Sequence, residues 1–246
     1  MSTIARTATS TPPTYTPPLQ RSYAHAHWYF LAAFLVIVAG FWPTFYQPMG
    51  SGTTTKNVHG VTSSLWYFGL MAQSWLMSRG LVAWHRRTAI GMIVLLPILA
   101  VSALRNTSMM LTASLIPPEA RPLIAFAAFQ LVAQLFVFVG LGLRNRRTPA
   151  AHKRYMAATA LVGFAPALAR LYGRLHFALG GPINGPTMTE NVILLTRIVV
   201  DWRNGERMRR AYPLMIVWNV GIQALTVPLA TTGAWLAFCR WFAASP

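Results

Sequence analysis

Residues 88–106 read TAIGMIVLLPILAVSALRN, and residues 88–104 of this stretch carry no charged side chain. As an α-helix the segment rises about 28 Å at ~1.5 Å per residue, close to the ~30 Å hydrocarbon core of a bilayer. Trp84-His85-Arg86-Arg87 precede it and Arg105 lies at its far end. An apolar run of bilayer length between cationic and aromatic ends reads as a transmembrane helix.

The rest of the chain repeats that pattern. Its 246 residues are 54% hydrophobic and only 10% charged, with a mean hydropathy of +0.44. A soluble domain carries about 25% charged residues, so a globule in water is excluded. The apolar content excludes a disordered chain, and the single cysteine, Cys239, excludes a disulfide scaffold. Seven segments are candidates to span, at about 27–46, 59–79, 88–106, 122–143, 153–174, 187–202 and 212–239. The fifth is interrupted by Arg170, and the sixth is short and contains Glu190 and Arg197. No segment alternates with period two, so a β-barrel is not expected. The expected fold is an all-α polytopic bundle of about seven spans. Residues 1–24, with Ser10-Thr11-Pro12-Pro13 and Thr16-Pro17-Pro18, are expected to form a disordered cytoplasmic tail, and residues 25–246 one transmembrane domain.

The 21 lysines and arginines stand against four acids (Glu119, Glu190, Asp201, Glu206), a formal charge of +17. The cations come in short clusters between apolar runs and make no contiguous face for nucleic acid. With the amino terminus inside, Arg6, Arg21, Arg79, Arg86, Arg87, Arg144, Arg146, Arg147, Lys153, Arg154, Arg203, Arg207, Arg209 and Arg210 all fall on the cytoplasmic side. The positive-inside rule then places the carboxyl terminus outside. Trp28, Trp42, Trp66, Trp84, Trp202, Trp235 and Trp241 are expected near span ends, as an aromatic belt.

Trp84-His85-Arg86-Arg87 and Ala151-His152-Lys153-Arg154 form a weak internal echo. Each starts a helix that later holds a proline (Pro97, Pro166) and an arginine (Arg105, Arg170). In this topology His25, His27, His85 and His152 share the cytoplasmic edge, where imidazoles suit iron, copper or zinc and Asp201 and Glu206 could add oxygen ligands. The bland alternative makes the two clusters anchors for lipid phosphates. His25 and His27 diverge by about 200° around a helix, which works against both binding one ion.

His59 and His176 lie at the opposite face and offer axial ligands for haem, with Arg105, Arg170 and Arg174 in the outer half as partners for propionates or another anion. His59 to His85 and His152 to His176 would span about 39 and 36 Å of helix, so these histidines flank the bilayer. His59 reads equally as a helix-start residue. In the sixth span Glu190, Leu194, Arg197 and Asp201 form one helical stripe. An arginine within a membrane needs a partner or a wet cavity, and Asp201 and Glu190 are close enough to serve. Gln130 with Gln134, and Asn219 with Gln223, make amide stripes that read as interhelical glue. The sequence has no phosphate-binding glycine loop, CxxC or HExxH.

Through His59-Gly60, Leu81-Val82-Ala83-Trp84-His85-Arg86-Arg87 with Gly91, and His152-Lys153-Arg154, the chain resembles a family of uncharacterised bacterial polytopic inner-membrane proteins over most of residues 25–240. The resemblance implies a multi-pass protein of the cell inner membrane and no particular activity. A fainter similarity to membrane b-type cytochromes rests on His59, His85, His152 and His176. Three functions fit these observations. The first is a redox protein or oxidase holding haem or a transition metal through histidines. The second is a carrier or binding protein for an anionic or lipophilic small molecule, with an Arg197-centred polar cavity. The third is an assembly subunit whose partner is another membrane protein.

Overall fold

The computed structural model describes residues 25–114, 116–176, 181–206 and 210–244. The expected amino-terminal tail, with Arg207 and Arg209 of the basic clusters, lies outside the described residues. Those described are helical, with no strand among them. The helices are α1 (Ala26–Phe41), α2 (Thr54–Ser78), α3 (Val82–Leu111), α4 (Arg121–Arg144), α5 (Pro149–Val162), α6 (Phe164–Arg174), α7 (Gly181–Arg203), α8 (Ala211–Ala230) and α9 (Gly233–Ala244). Five stretches are long and apolar enough to cross a membrane: Ala26–Tyr46, Val82–Leu111, Arg121–Arg144, Pro149–Arg174 and Ala211–Ala230. Helices α2 and α7 match them in length, at 25 and 23 residues, but carry more polar side chains.

Local chemistry sets the boundaries. After α1 the chain widens into a π-helical turn over Trp42–Tyr46, where Pro43 has no N–H to give and Gln47 bonds back to the Trp42 carbonyl at 2.8 Å. Thr53 caps α2 by accepting the Lys56 N–H. Helix α4 begins at Arg121-Pro122 and closes on Arg144, a proline at the start and a cation at the end.

Two expected spans are broken. The fifth divides at Gly163 (φ −86°, ψ −5°) into α5 and α6. Pro166 explains this, since it offers no N–H to the Val162 carbonyl and its ring crowds that oxygen. The seventh does not run through to 239. Pro228 weakens the ladder, and the Thr231 and Thr232 hydroxyls bond back to the carbonyls of Val227 (2.9 Å) and Leu229 (2.8 Å). Thr232 then caps the short α9 by accepting the Trp235 N–H. Helix α9 folds back against α3 and α4, with Ser108 donating to the Phe242 carbonyl and the Trp235 indole to that of Pro122. Phe126, Phe129, Trp235, Phe238 and Phe242 seal the contact. The sixth segment is longer than expected, because α7 begins at Gly181 and holds Pro186 without breaking.

Around the bundle α1 packs on α2, α2 on α3, α3 on α4, α4 on α8, α8 on α7, α7 on α6, and α6 on α1. Helix α5 lies inside this ring and touches α1, α2, α4 and α8. Its sequence suits that place: Ala150, Ala151, Ala158 and Ala160 are all buried and let neighbouring backbones close in. The core is aromatic and aliphatic, with Phe34, Trp66, Tyr67, Phe138, Tyr155 and Met215 among its members. The outside is apolar too. Ile90, Val94, Ile98 and Val101 form an exposed stripe on α3, and Val192, Leu195, Val199 and Trp202 form another on α7. Such faces belong against lipid tails.

Five of the seven tryptophans expected in the aromatic belt lie on the surface. Trp28, Trp42, Trp84, Trp202 and Trp241 are exposed. Trp66 departs from the belt, being 3% exposed. Because α2 begins at Thr54 rather than near residue 59, Trp66 falls in mid-helix and packs into the core.

Candidate functional site

Following the loop charges, the end of the bundle where α1 finishes and α2 begins is termed outer, and the end holding Arg86 and Lys153 inner. Polar groups gather at three depths.

At the inner end the sequence leads one to expect an Arg197–Asp201 pair. The structure makes Arg154 the hub instead. Arg154 is 1% exposed; its Nε donates to Asp201 Oδ2 at 2.7 Å and its Nη1 to the Ala150 carbonyl at 2.6 Å. Its Nη2 pairs with Glu206 Oε2. Arg197 adds a longer contact of 3.4 Å to Asp201 Oδ1. Asp201, named as a metal ligand, therefore has both oxygens facing guanidinium groups. Arg154 closes the Ala151-His152-Lys153-Arg154 cluster and is no lipid anchor. The buried pairs Ala150-Ala151 and Arg154-Tyr155, then Ala158, recur every four residues, a signal in the sequence that marks the face on which Arg154 turns inward.

The four inner histidines meet as pairs. His25 and His27 have ring centroids 6.2 Å apart, and His85 and His152 6.4 Å, each edge to face. His152 Nδ1 lies 2.8 Å from the Gly142 carbonyl. Among the described residues no group of three or more His, Cys, Asp or Glu comes together to hold a metal ion. His59 Nδ1 lies 3.4 Å from Ser102 Oγ on α3, in a small hydroxyl ladder with Thr62. His176 closes α6 with φ of +48° and is exposed. This left-handed position is common at helix ends.

In the outer half, Arg105 lines an open groove of about 460 Å³ with Thr54, Val58, Pro97, Val101 and Ser102. A second cavity, of about 280 Å³, is lined by Gly40, Pro43, Thr44, Arg170, Gly173 and Arg174. Its two arginines come from adjacent turns of α6. Arg170 lies 4.3 Å over the Phe41 ring and donates to the Pro166 carbonyl at 2.9 Å. Arg174 reaches across to α1 and donates to the carbonyls of Ala39 (2.5 Å) and Gly40 (3.2 Å). The reach depends on Gly40, where a Cβ would stand 2.6 Å from the Ala167 oxygen. Among the described residues no acid pairs with either arginine. Arg197, the expected centre of a cavity, lines neither of these two.

Halfway along the helices runs a buried polar layer. Gln134 Nε2 of α4 donates to Asn219 Oδ1 of α8 at 2.9 Å. Asn219 Nδ2 donates onward to Glu190 Oε2 (3.3 Å) and Asn191 Oδ1 (3.2 Å) of α7. Glu190 is 4% exposed, and its Oε1 has no hydrogen-bond partner. The Ala165 N–H, at the start of α6, faces this carboxylate. From α2 the Tyr67 hydroxyl donates to the Ala160 carbonyl at 2.5 Å, and a Cβ on Gly163 would stand 3.0 Å from that hydroxyl. The amide stripes seen in the sequence are thus paired: Gln134 with Asn219, Gln223 with Asn184, and Gln130 with Trp218. Tyr67, Gly163 and Arg154 belong to no site expected from the sequence, and Glu206, expected as an oxygen ligand to a metal, faces Arg154.

No protein-family model, curated protein or solved structure matches the chain.

Proposed function

We propose that this is an inner-membrane protein of seven spans, α5 and α6 together making one, that binds an anionic amphiphile through Arg170 and Arg174. The carrying observation is two guanidinium groups on adjacent turns, opening on one cavity, with no acid paired to either among the described residues. Like charges one turn apart repel, and in the outer half of a bilayer each seeks an anion. The cavity walls combine these cations with Pro43, Thr44 and two glycines, so a phosphate or carboxylate head fits there with its chain on the apolar outer surface. The chemistry is that of a carrier or lipid-binding protein and covers both a phospholipid and a lipophilic carboxylate.

Native mass spectrometry of the delipidated protein tests this with phosphatidylglycerol, phosphatidylcholine and a long-chain fatty acid. Retention of the phosphatidylglycerol or the fatty acid over phosphatidylcholine is expected. Each arginine replaced by glutamine should weaken it about tenfold, the scale of one charged hydrogen bond. Equal retention by Arg170→Gln/Arg174→Gln and the natural protein overturns the proposal.

A second reading rests on His85 and His152, which meet although they lie on α3 and α5. Two imidazoles could hold haem iron or a copper or zinc ion at the inner edge. A Soret band or stoichiometric metal lost in His85→Ala and His152→Ala supports it; a colourless, metal-free, folded preparation removes it.

A further inference from the structure

We propose that Glu190 is a proton-binding site at the centre of the bundle, alternating between carboxylate and carboxyl as the amides of Asn219 and Gln134 turn over. Three observations carry this. Glu190 is buried halfway along α7, and no cation pairs with it among the described residues. A carboxylate so far from water, with no cation beside it, is costly, and taking up a proton removes that cost. Second, Asn219 holds Glu190 at one oxygen, and a proton on that oxygen can be donated back to Asn219 once the amide turns over. Third, Glu190 faces the break between α5 and α6, where the Ala165 N–H points at it. A helix start favours the negative form.

The polar layer can serve both forms. With Glu190 ionised, Gln134 donates to Asn219 and Asn219 to Glu190, as observed. An amide presents an oxygen on one side and two N–H groups on the other. If Asn219 and Gln134 both turn over, Asn219 Oδ1 accepts from the new O–H and its Nδ2 donates to Gln134 Oε1. Asn191 turns with them and donates where it had accepted. Every amide keeps a partner in both states, and the proton comes from and returns to solvent.

The charged and titratable groups around Glu190 leave it the free acid of this layer. On α6, packed against α7, Arg170, Tyr172 and Arg174 lie toward the outer end. On α8, Tyr212 lies toward the inner end. On α7 itself, Arg197 and Asp201 lie about 10 Å and 16 Å further in, and Asp201 is bound to Arg154. From α2, Tyr67 spends its hydroxyl on Ala160.

Infrared difference spectroscopy of the full chain in liposomes, between mildly acidic and mildly alkaline buffer, tests the site. A carboxylic C=O band should appear on acidification, vanish in Glu190→Gln, and move to higher frequency in Asn219→Leu, which removes the acceptor of the carboxyl O–H. The absence of such a band in the natural protein, or its persistence unchanged in Glu190→Gln, overturns the proposal. Should Glu190→Gln fail to fold, carboxyl-¹³C glutamate in the natural protein separates Glu119, Glu190 and Glu206 from Asp201. A band that carries no isotope shift, or is indifferent to Asn219→Leu, overturns it equally. None of these readouts depends on amphiphile binding at Arg170 and Arg174.

Discussion

Tyr67 on α2 donates its hydroxyl across the core to the carbonyl of Ala160 at 2.5 Å. Ala160 belongs to the last turn of α5, where intrahelical donors run out. A side chain from a different helix thus completes the broken one, and the break stays packed because Tyr67 also covers Gly163.

Tyr67→Phe should therefore keep the fold but strand the Ala160 oxygen, at a cost of about 1–3 kcal/mol. Thermal unfolding of the detergent-solubilised protein measures this. A melting curve identical to the natural protein's would show that another group satisfies that carbonyl.

Arg154 holds two carboxylates, so its loss and the loss of either acid should be unequal. Arg154→Met leaves Asp201 and Glu206 without their main cation and should cost about 3–5 kcal/mol. Asp201→Asn keeps the Glu206 pair and should cost clearly less. Size-exclusion profiles of fluorescent fusions across a temperature series give the ranking, and equal losses would contradict the hub arrangement.

Two glycines in long helices should respond oppositely. Gly40→Ala drives a methyl into the backbone of Ala167, so it should separate α1 from α6 and lower both stability and amphiphile binding. Gly91, on α3, has open space around it. Gly91→Ala should be neutral or stabilising by up to about 1 kcal/mol, the helix propensity difference. Melting temperatures of the two variants make the comparison.

The proposed seven crossings would place the chain's ends on opposite faces. A reporter active only in the cytoplasm should work at the amino terminus and fail at the carboxyl terminus, and one active only outside should do the reverse. Activity of one reporter at both ends would remove a crossing and move Arg170 and Arg174 to a different depth.

The spans were legible because hydropathy and loop charge act on whole segments. Thr88 to Leu104 could hardly be anything but membrane helix. Breaks were less legible where both sides of the break are apolar: residues 212–239 read as one run, and only Pro228 with Thr231-Thr232-Gly233 hinted at the turn. In the candidate sites, Glu190 and the outer arginines stood out because charge is scarce in such segments. Arg154 did not, since a cation at a helix start looks like a topology signal until the packing of α5 inside the ring turns it inward. Tyr67 had no local mark at all, because its partner comes from a helix remote in the chain.

The enclosure of α5 also bears on biogenesis. Arg154 leaves the ribosome 47 residues before Asp201, which at roughly 5–20 residues per second is a wait of several seconds. During that interval neither carboxylate that pairs with it in the folded chain has yet been made. Only once α7 and Glu206 have been made can Arg154 meet the carboxylates that hold it in the middle of the bundle.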